Sequence, residues 1–487
     1  MDNLISIQTV SQLSLFGLLS FLVYRNTKSV SNIPQFPGGS KIFGNLFGLL
    51  HAFRDGTVHL FFDLASKTDN PIVNMYLPGI SMNGTKLISD PDFAKQILAL
   101  RHTEFVRDER LSALFKGICN YALFLIPSPS DQWKKHRKLL QPAFGPTHLR
   151  NSFIISLHES NELMKVWEGY TDKERSEIEL TKALNFLATD VIGRVGFSYN
   201  FHLVETLVDP GVENKNQKYL LQMAKAFPIR RFTPKFMWRV LGATPEQIKG
   251  PVSYLKGVIK DVVEDKEQKF KENIVPVAAK DMDLLDRLME NSTLGGKFEK
   301  SSFDLFTQEE LEDEVFAFFL AGQGVREEAK ELLNGEKLTY EKLNDLKFTD
   351  AVIKETLRLY PIVPALQKKS NVDTTLGGYN IKKGDNLSIL VYSLQRNEKY
   401  WKDGNEFVPE RWLGEEKNVV NGTYLPFGEG PTNCIGQKLA VIEMKTVIST
   451  ICLKYDMELA SAREDLKIES KGTLRLKNGL KVKVSRV

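Results

Sequence analysis

The spacing of apolar and polar residues divides this chain into one long uncharged run, a short strand-rich stretch and a long helical body. Leu4 to Tyr24 carries no charge, and a helix of that length reaches about 31 Å, one hydrocarbon core. Ile72–Tyr76 and Lys86–Ser89 read as strands separated by turns at Pro78-Gly79 and Asn83-Gly84. From Asp90 onward the period lengthens to that of a helix. Asp131 opens one helix, and Leu180–Val195 and Val252–Glu272 are two more. Thr307-Gln-Glu-Glu310 is a capping box ahead of the apolar run Val315–Gly322. Thr349 to Tyr360 is a helix stopped by Pro361, with Ile353, Leu357 and Tyr360 on its inner stripe. Ala440, Met444, Val447, Ile448 and Ile451 mark a last helix. Leu376-Gly-Gly-Tyr379 and Lys383-Gly-Asp385 read as hairpin turns, and Thr473–Val487 as a terminal hairpin around Lys477-Asn-Gly479. The pattern predicts a mainly α fold with small β-sheets.

Composition narrows the class. The chain has 487 residues with 42% hydrophobic and 26% charged residues, ordinary values for a globular protein. Its net charge of +4 is mild, and no basic stripe interleaved with aromatics marks a nucleic-acid surface. Cys119, Cys434 and Cys452 form neither a disulfide framework nor a zinc spacing, which fits a body facing the cytosol. Residues 151–300 hold no metal cluster, no Ser–His–Asp signature and no Walker loop. After the uncharged run come Arg25 and Lys28, and before it only Asp2. The positive-inside rule then makes 1–27 an uncleaved anchor with the body in the cytosol; a cleaved signal peptide is the rival. Residues 28–40, with Pro34-Gln-Phe-Pro-Gly-Gly39, form a stiff hinge to the body, 41–487.

The densest chemistry lies in Tyr424-Leu-Pro-Phe-Gly-Glu-Gly-Pro-Thr-Asn-Cys434-Ile-Gly436. Cys434 sits on a glycine-tightened loop just before a helix, where free N–H groups and the helix dipole favour a thiolate. Gly428, Gly430 and Gly436 let the backbone lie close under something large and flat, with Phe427 beside it. A lone cysteine there would ordinarily be a small buried side chain. The full pattern Phe-Gly-x-Gly-x-x-x-Cys-x-Gly, however, resembles the haem-binding loop of the cytochrome P-450 superfamily. That resemblance implies Cys434 as the axial ligand of haem b iron. The family usually has Arg or His two residues before the cysteine, and this chain has Thr432.

Other stretches carry the same resemblance, from the anchor to the terminal strands. Trp133 and Arg137 share a helix face at i and i+4, similar to the family's Trp-x-x-x-Arg that holds a haem propionate. Lys368 stands where the family often has another propionate-binding base. Glu355-Thr-Leu-Arg358 and the arginine of Phe407-Val-Pro-Glu-Arg411-Trp resemble the structural Glu-x-x-Arg triad. Pro361–Leu366 is implied to line the distal pocket. These motifs converge on one site, so the body is read as a single catalytic domain.

The resemblance breaks at Ala321-Gly-Gln-Gly324. The family continues with an acid and a hydroxyl that manage proton delivery, and here Gly324, Val325 and Arg326 take those places. The next residues look like a helix that normally starts well downstream. About two dozen residues, some 36 Å of helix, are missing by comparison. The helix Gln308–Gln323 that remains is about 24 Å long, short for crossing such a domain; an ordinary buried helix ended by Gly324 is the bland alternative.

Taken together, the resemblance implies a haem-thiolate monooxygenase in the endoplasmic reticulum membrane. It would insert one oxygen atom of dioxygen into an apolar, lipid-like substrate. Electrons would come from NADPH through a flavoprotein reductase docked near Lys134, Lys135, His136 and Lys138. Two alternatives stay open: a reductase-independent enzyme that rearranges peroxides, and a truncated product that folds poorly or binds haem without catalysis.

Overall fold

Both faces of the first sheet pack against apolar clusters, so neighbouring apolar residues of its strands are buried on opposite sides. In the computed structural model, residues 32–40, 43–77, 81–108, 115, 123–171, 176–208, 214–232, 237–272, 283, 285–286, 315–414, 419–462, 465–470 and 472–487 are described. The expected anchor and the Thr307–Glu310 capping box lie outside them, as does the Pro78-Gly79 turn.

Two helices, α1 (Leu46–Asp55) and α2 (Val58–Ser66), precede β1 (Ile72–Leu77) and β2 (Ser81–Ile88). Ile72 and Ile88 pack into one core cluster, while Val73, Met75, Leu77 and Leu87 pack into another. That is the two-residue period of a strand placing neighbours on opposite faces. Asn83-Gly84 is not a turn: it lies inside β2, which pairs antiparallel with β1 from Ile72↔Ile88 to Leu77↔Ser81. Gly84 has φ +75°, and a Cβ there would run into the Asn74 side chain. The glycine lets the strand bend against β1 without ending it. Residues of the proline-rich segment run beside β1: Phe36 N–H donates to Asn74 O at 2.9 Å and Asn74 N–H to Pro34 O at 2.7 Å.

The chain then turns helical through α3 (Pro91–Lys95), which runs into a π-turn at Gln96–Leu100. The two-residue strand β3 (Phe105–Val106) and helices α4 (Asp131–Leu140) and α5 (Pro146–Thr171) follow. Next come β4 (Ser176–Glu179), α6 (Leu180–Phe197), α7 (Lys215–Phe232) and α8 (Lys249–Lys271). Then α9 (Val315–Leu333) and α10 (Lys347–Leu359) complete the central body. After α10 the chain returns to sheet: β5 (Leu366–Ser370), β6 (Thr374–Leu376), β7 (Tyr379–Ile381) and β8 (Asn386–Ile389). β8 inserts between β2 and β5, parallel to β2, giving the order β1-β2-β8-β5-β3. Leu376-Gly-Gly-Tyr379 is the hairpin turn expected, with Leu376 paired to Tyr379. Lys383-Gly-Asp385 instead hands the chain from β7 to β8, which belong to different sheets.

The last helix, α12 (Gln437–Lys454), comes after the short α11 (Val391–Leu394). Its Met444, Val447, Ile448 and Ile451 share the largest core cluster with Leu163 and Trp167 of α5, Leu184 and Val191 of α6, Val325 of α9 and Leu357 of α10. The terminal hairpin is corrected. β9 (Tyr455–Leu459), β10 (Ile468–Ser470), β11 (Leu474–Leu476) and β12 (Lys481–Arg486) close the chain, but β11 pairs with β10 while β12 lies between β4 and β9. The turn at Gly479 ends β11, and Leu480 then bonds to α6: its N–H donates to Thr181 Oγ1 at 2.8 Å and its C=O accepts from Leu180 N–H at 2.7 Å.

The helix expected to end near Gln323 does not stop there. α9 runs on through Gly324 to Leu333. Gly324 is needed at this point because a Cβ would overlap the Phe348 ring of α10. The side chains of 315–322 lie outside the described residues.

Candidate active site

The loop that carries Cys434 is built by local backbone bonds. Gly428 N–H donates to Leu425 O, and Cys434 N–H donates to Phe427 O at 2.9 Å, which folds the cysteine back over the start of the loop. Gly430–Thr432 forms a single 3-10 turn, and Gly436 is the N-cap of α12. Cys434 is half-buried, forms no disulfide among the described residues, and stands just before that helix. Cys452, by contrast, is buried in the core, and burial pushes its thiol up to about 12, which makes it a poor ligand. Cys119 lies outside the described residues.

The glycines of the loop serve different ends. Gly428 and Gly430 have φ +73° and +72°, the left-handed region. A Cβ at Gly430 would also meet the backbone of Leu98 and Ala99, so the π-turn requires that glycine whatever lies above the loop. Gly436 has φ −85° and carries no such demand. A Cβ at Gly428 would be 3.9 Å from Leu366 Cδ1, so Leu366, the last residue of the Pro361–Leu366 segment, approaches the cysteine loop. Phe427 is half-buried against the main core.

α4 presents two groups to this loop. Ser130 caps it by accepting from Trp133 N–H at 3.1 Å. Trp133 is buried, yet its indole Nε1 has no hydrogen-bond partner. Arg137, one turn on, donates from Nη1 to Asn433 O at 2.8 Å and from Nη2 to Asn433 Oδ1 at 2.9 Å. Burial lowers the Arg137 guanidinium from its ordinary value while Cys434 works the other way. Lys368 reaches in from β5 and donates to Thr432 Oγ1 at 3.0 Å. Burial, helped by repulsion from Arg107, pulls its ammonium down to about 8. Of the basic residues on α4, Lys134, Lys135 and Lys138 are exposed and His136 is half-buried.

Arg107 is the member that the sequence pattern did not single out. Its Nη1 donates to Leu123 O at 2.5 Å and Ile126 O at 3.1 Å, and burial together with Arg137 lowers it to about 10. Arg107, Arg137 and Lys368 thus crowd together, and among the described residues none is paired with a carboxylate. Three cations drawn out of water without counter-charges are costly. With the unpartnered Trp133 N–H, they make a donor set that suits the carboxylates of a large anionic cofactor. The residues present therefore fit the propionates of a haem.

Behind the loop, Glu355 and Arg358 are buried completely. Arg358 donates twice to Glu355, at 2.8 Å each, and to Gln395 O, Gly404 O and Glu406 O; this uses every N–H of its guanidinium. Glu355 also accepts from Val408 N–H, Arg411 Nε and Trp412 Nε1 at 2.9, 3.1 and 2.9 Å. Burial alone would raise the Glu355 carboxyl, but the Arg358 bonds and charge outweigh it and hold it below the usual carboxylate range. Gln395 extends this network toward the cysteine loop: its Nε2 donates to Leu357 O and Arg358 O, and its Oε1 accepts from Leu425 N–H at 2.7 Å.

The residues after the break lie elsewhere. Val325 is buried in the main core. Arg326 Nε donates to Cys452 O at 2.5 Å and Nη2 to Tyr455 O at 2.7 Å. Cys452 is about 22 Å along α12 from its first residue, so Arg326 holds the end of that helix far from Cys434.

Comparison with known proteins agrees with this geometry. The sequence model of the family described as Cytochrome P450 matches residues 34–324 and 323–484. Cytochrome P450 3A11 of Mus musculus is 26% identical, with 82% of each chain covered. Putative cytochrome P450 CYP13A5 of Caenorhabditis elegans is 25% identical over 93% of each. The protein LUTEIN DEFICIENT 5, chloroplastic, of Arabidopsis thaliana is 25% identical over 82% of this chain and 70% of its own. The chain belongs to the cytochrome P450 family, whose members are haem-thiolate monooxygenases.

Proposed function

We propose that this chain is a membrane-bound monooxygenase of apolar, lipid-like substrates, with Cys434 as the haem iron ligand and NADPH, through a flavoprotein reductase, as the electron source. The observation that carries the reading is the gathering of Arg107, Arg137, Lys368 and the unpartnered Trp133 N–H around the loop of Cys434. Haem, when bound, supplies oxygen activation and one-electron chemistry that no side chain can. The protein's part is to hold and to tune. Cys434 offers a thiolate favoured by the N-terminus of α12. Arg137 steadies Asn433, its neighbour. Arg107, Arg137, Lys368 and Trp133 would hold the propionates, and Glu355, Arg358 and Arg411 brace the segment leading into the loop.

Two surfaces support the remaining partners. Lys134, Lys135 and Lys138 are exposed on the same helix that carries Trp133 and Arg137, a place where an acidic reductase can dock by charge. Phe43, Phe47 and Leu50 are exposed together near the start of the body, with Phe47 60% exposed. A cluster of that kind suits a lipid surface, and it lies close in sequence to the uncharged run 4–24. Among the described residues no helix is long and apolar enough to cross a membrane; the run itself lies outside them. The endoplasmic reticulum membrane, with the body in the cytosol, is the setting that these features suit.

The second reading, rearrangement of a peroxide without a reductase, is favoured by one feature: Gly324 and Val325 stand where the family resemblance implies an acid and a hydroxyl. The deciding experiment incubates the full chain, loaded with haem in lipid vesicles, with a panel of fatty acids and their hydroperoxides. Oxygenated product that requires both NADPH and reductase is the result expected. Conversion of the hydroperoxides alone would replace the proposal with the second reading. A chain that takes up no haem would leave the non-catalytic alternative.

A further inference from the structure

Thr432 departs from the motif around it, and the structure gives its hydroxyl a task. Lys368 is only 6% exposed, and its bond to Thr432 Oγ1 at 3.0 Å is the one hydrogen bond that its ammonium makes among the described residues. An ammonium on a four-carbon stem has no preferred direction of its own; here one hydroxyl sets where it sits. Arg107 and Arg137 need no such help. Arg107 is tethered by two carbonyls and Arg137 by both acceptors of Asn433. A cation at position 432 would stand against three others. A threonine there accepts from Lys368 and keeps its own O–H free to donate onward.

We infer that Thr432 is a positioning residue: its hydroxyl holds the Lys368 ammonium beside the Cys434 loop, so that Lys368, Arg107 and Arg137 together form the seat for the cofactor's carboxylates. The inference rests on the haem-thiolate reading of the site and assigns Thr432 a use within it. The seat has three cations and a hydroxyl, so the position two residues before the cysteine needs no charge.

The test compares Thr432→Ser, Thr432→Val and Lys368→Met, and the double variant Lys368→Met with Thr432→Val, in the full chain loaded with haem. Haem loss is timed by transfer to excess apomyoglobin, and the carbon monoxide spectrum of the reduced protein reports the thiolate ligand. A hydrogen bond to a charged group is at stake, so Thr432→Val should speed haem loss about tenfold, and Thr432→Ser should stay within about twofold of the wild type. The thiolate-type spectrum should survive in all variants, since Cys434 is untouched. In the Lys368→Met background, Thr432→Val should add nothing. Circular dichroism of the haem-free proteins checks that each variant folds, and the serine variant controls for packing. Equal rates for valine and wild type would overturn the inference, as would a full valine effect without Lys368. A wild-type chain with no thiolate-type spectrum would overturn the cofactor reading beneath it, an outcome distinct from both.

Discussion

At the scale of single residues the site is ordered by charges that answer one another, or conspicuously do not. Glu355 and Arg358 answer in full, and removing one partner strands the other in the core. Glu355→Gln should therefore destabilise the fold by about 3–5 kcal/mol, read as a fall in the denaturant midpoint. The pH dependence has a definite sign. Glu355 is held below its unfolded value, so its contribution is present above the ordinary carboxylate range and is lost as pH falls through the lowered value. The variant should accordingly flatten the acid side of the stability profile. Cys434→Ala should abolish the thiolate-type carbon monoxide spectrum; an alanine variant that kept it would remove Cys434 as ligand. Helix spacing singles out Trp133 and Arg137, a dense motif Cys434, and the family resemblance Lys368; the fold gathers all four around one loop. Arg107 was not legible, because Val106-Arg-Asp-Glu-Arg110 reads as an ordinary charged run, and only the fold brings it to Arg137. Gln395 escaped for the same reason: a glutamine in sequence gives no sign that it will be buried and bridge α10 to the cysteine loop.

Among the elements, α9 departs furthest from expectation. Helical period located the helices well, as α4, α6, α8, α10 and α12 show within a few residues. Where a strand finds its partner was harder to read. The segments of 473–487 alternate as a hairpin should, yet they join different sheets because a long-range partner, α6, takes the backbone of Leu480. Period alone also could not say how the chain continues past Gln323. Gly324 looked like a stop, but in α9 it is the close-approach point against Phe348. Beyond it, Arg326 ties down the end of α12, and Glu328 caps α10 by accepting from Phe348 N–H and Thr349 N–H at 2.5 and 2.8 Å. The second half of α9 is therefore a clamp on α10 and α12. Gly324→Val should displace Phe348 and cost about 1–3 kcal/mol as overpacking does, checked by thermal melting. Arg326→Ala should loosen the end of α12 while leaving the cysteine loop and its spectrum intact, since the two lie at opposite ends of that helix.

For the whole molecule, the clamp bears on the segment that the family resemblance implies is missing. The family match itself comes in two stretches that meet at Gln323–Gly324. Val325 and Arg326 are fixed by the core and by α12, so they do not stand in for the acid and hydroxyl that manage protons in the family. An inserted segment, entering between Gln323 and Val325, would leave the clamp in place and extend only the N-terminal side. General acid–base help is worth about 10²–10⁴ in rate, and an incomplete wall admits water and side reactions. The 487-residue form should therefore hold haem yet spend NADPH without matching product. A form with a family-like segment restored should bring the two into step. Deleting residues 1–27 from both forms should shift them to the soluble fraction, which separates anchoring from turnover; persistence in carbonate-washed membranes would assign the anchoring to the apolar surface around Phe43 and Phe47. The decisive measurement is NADPH consumed against product formed, for each form with the same reductase. Equal coupling at equal rates would mean that the proton path in this protein runs through residues other than those of the family, and that the short α9 is a working design.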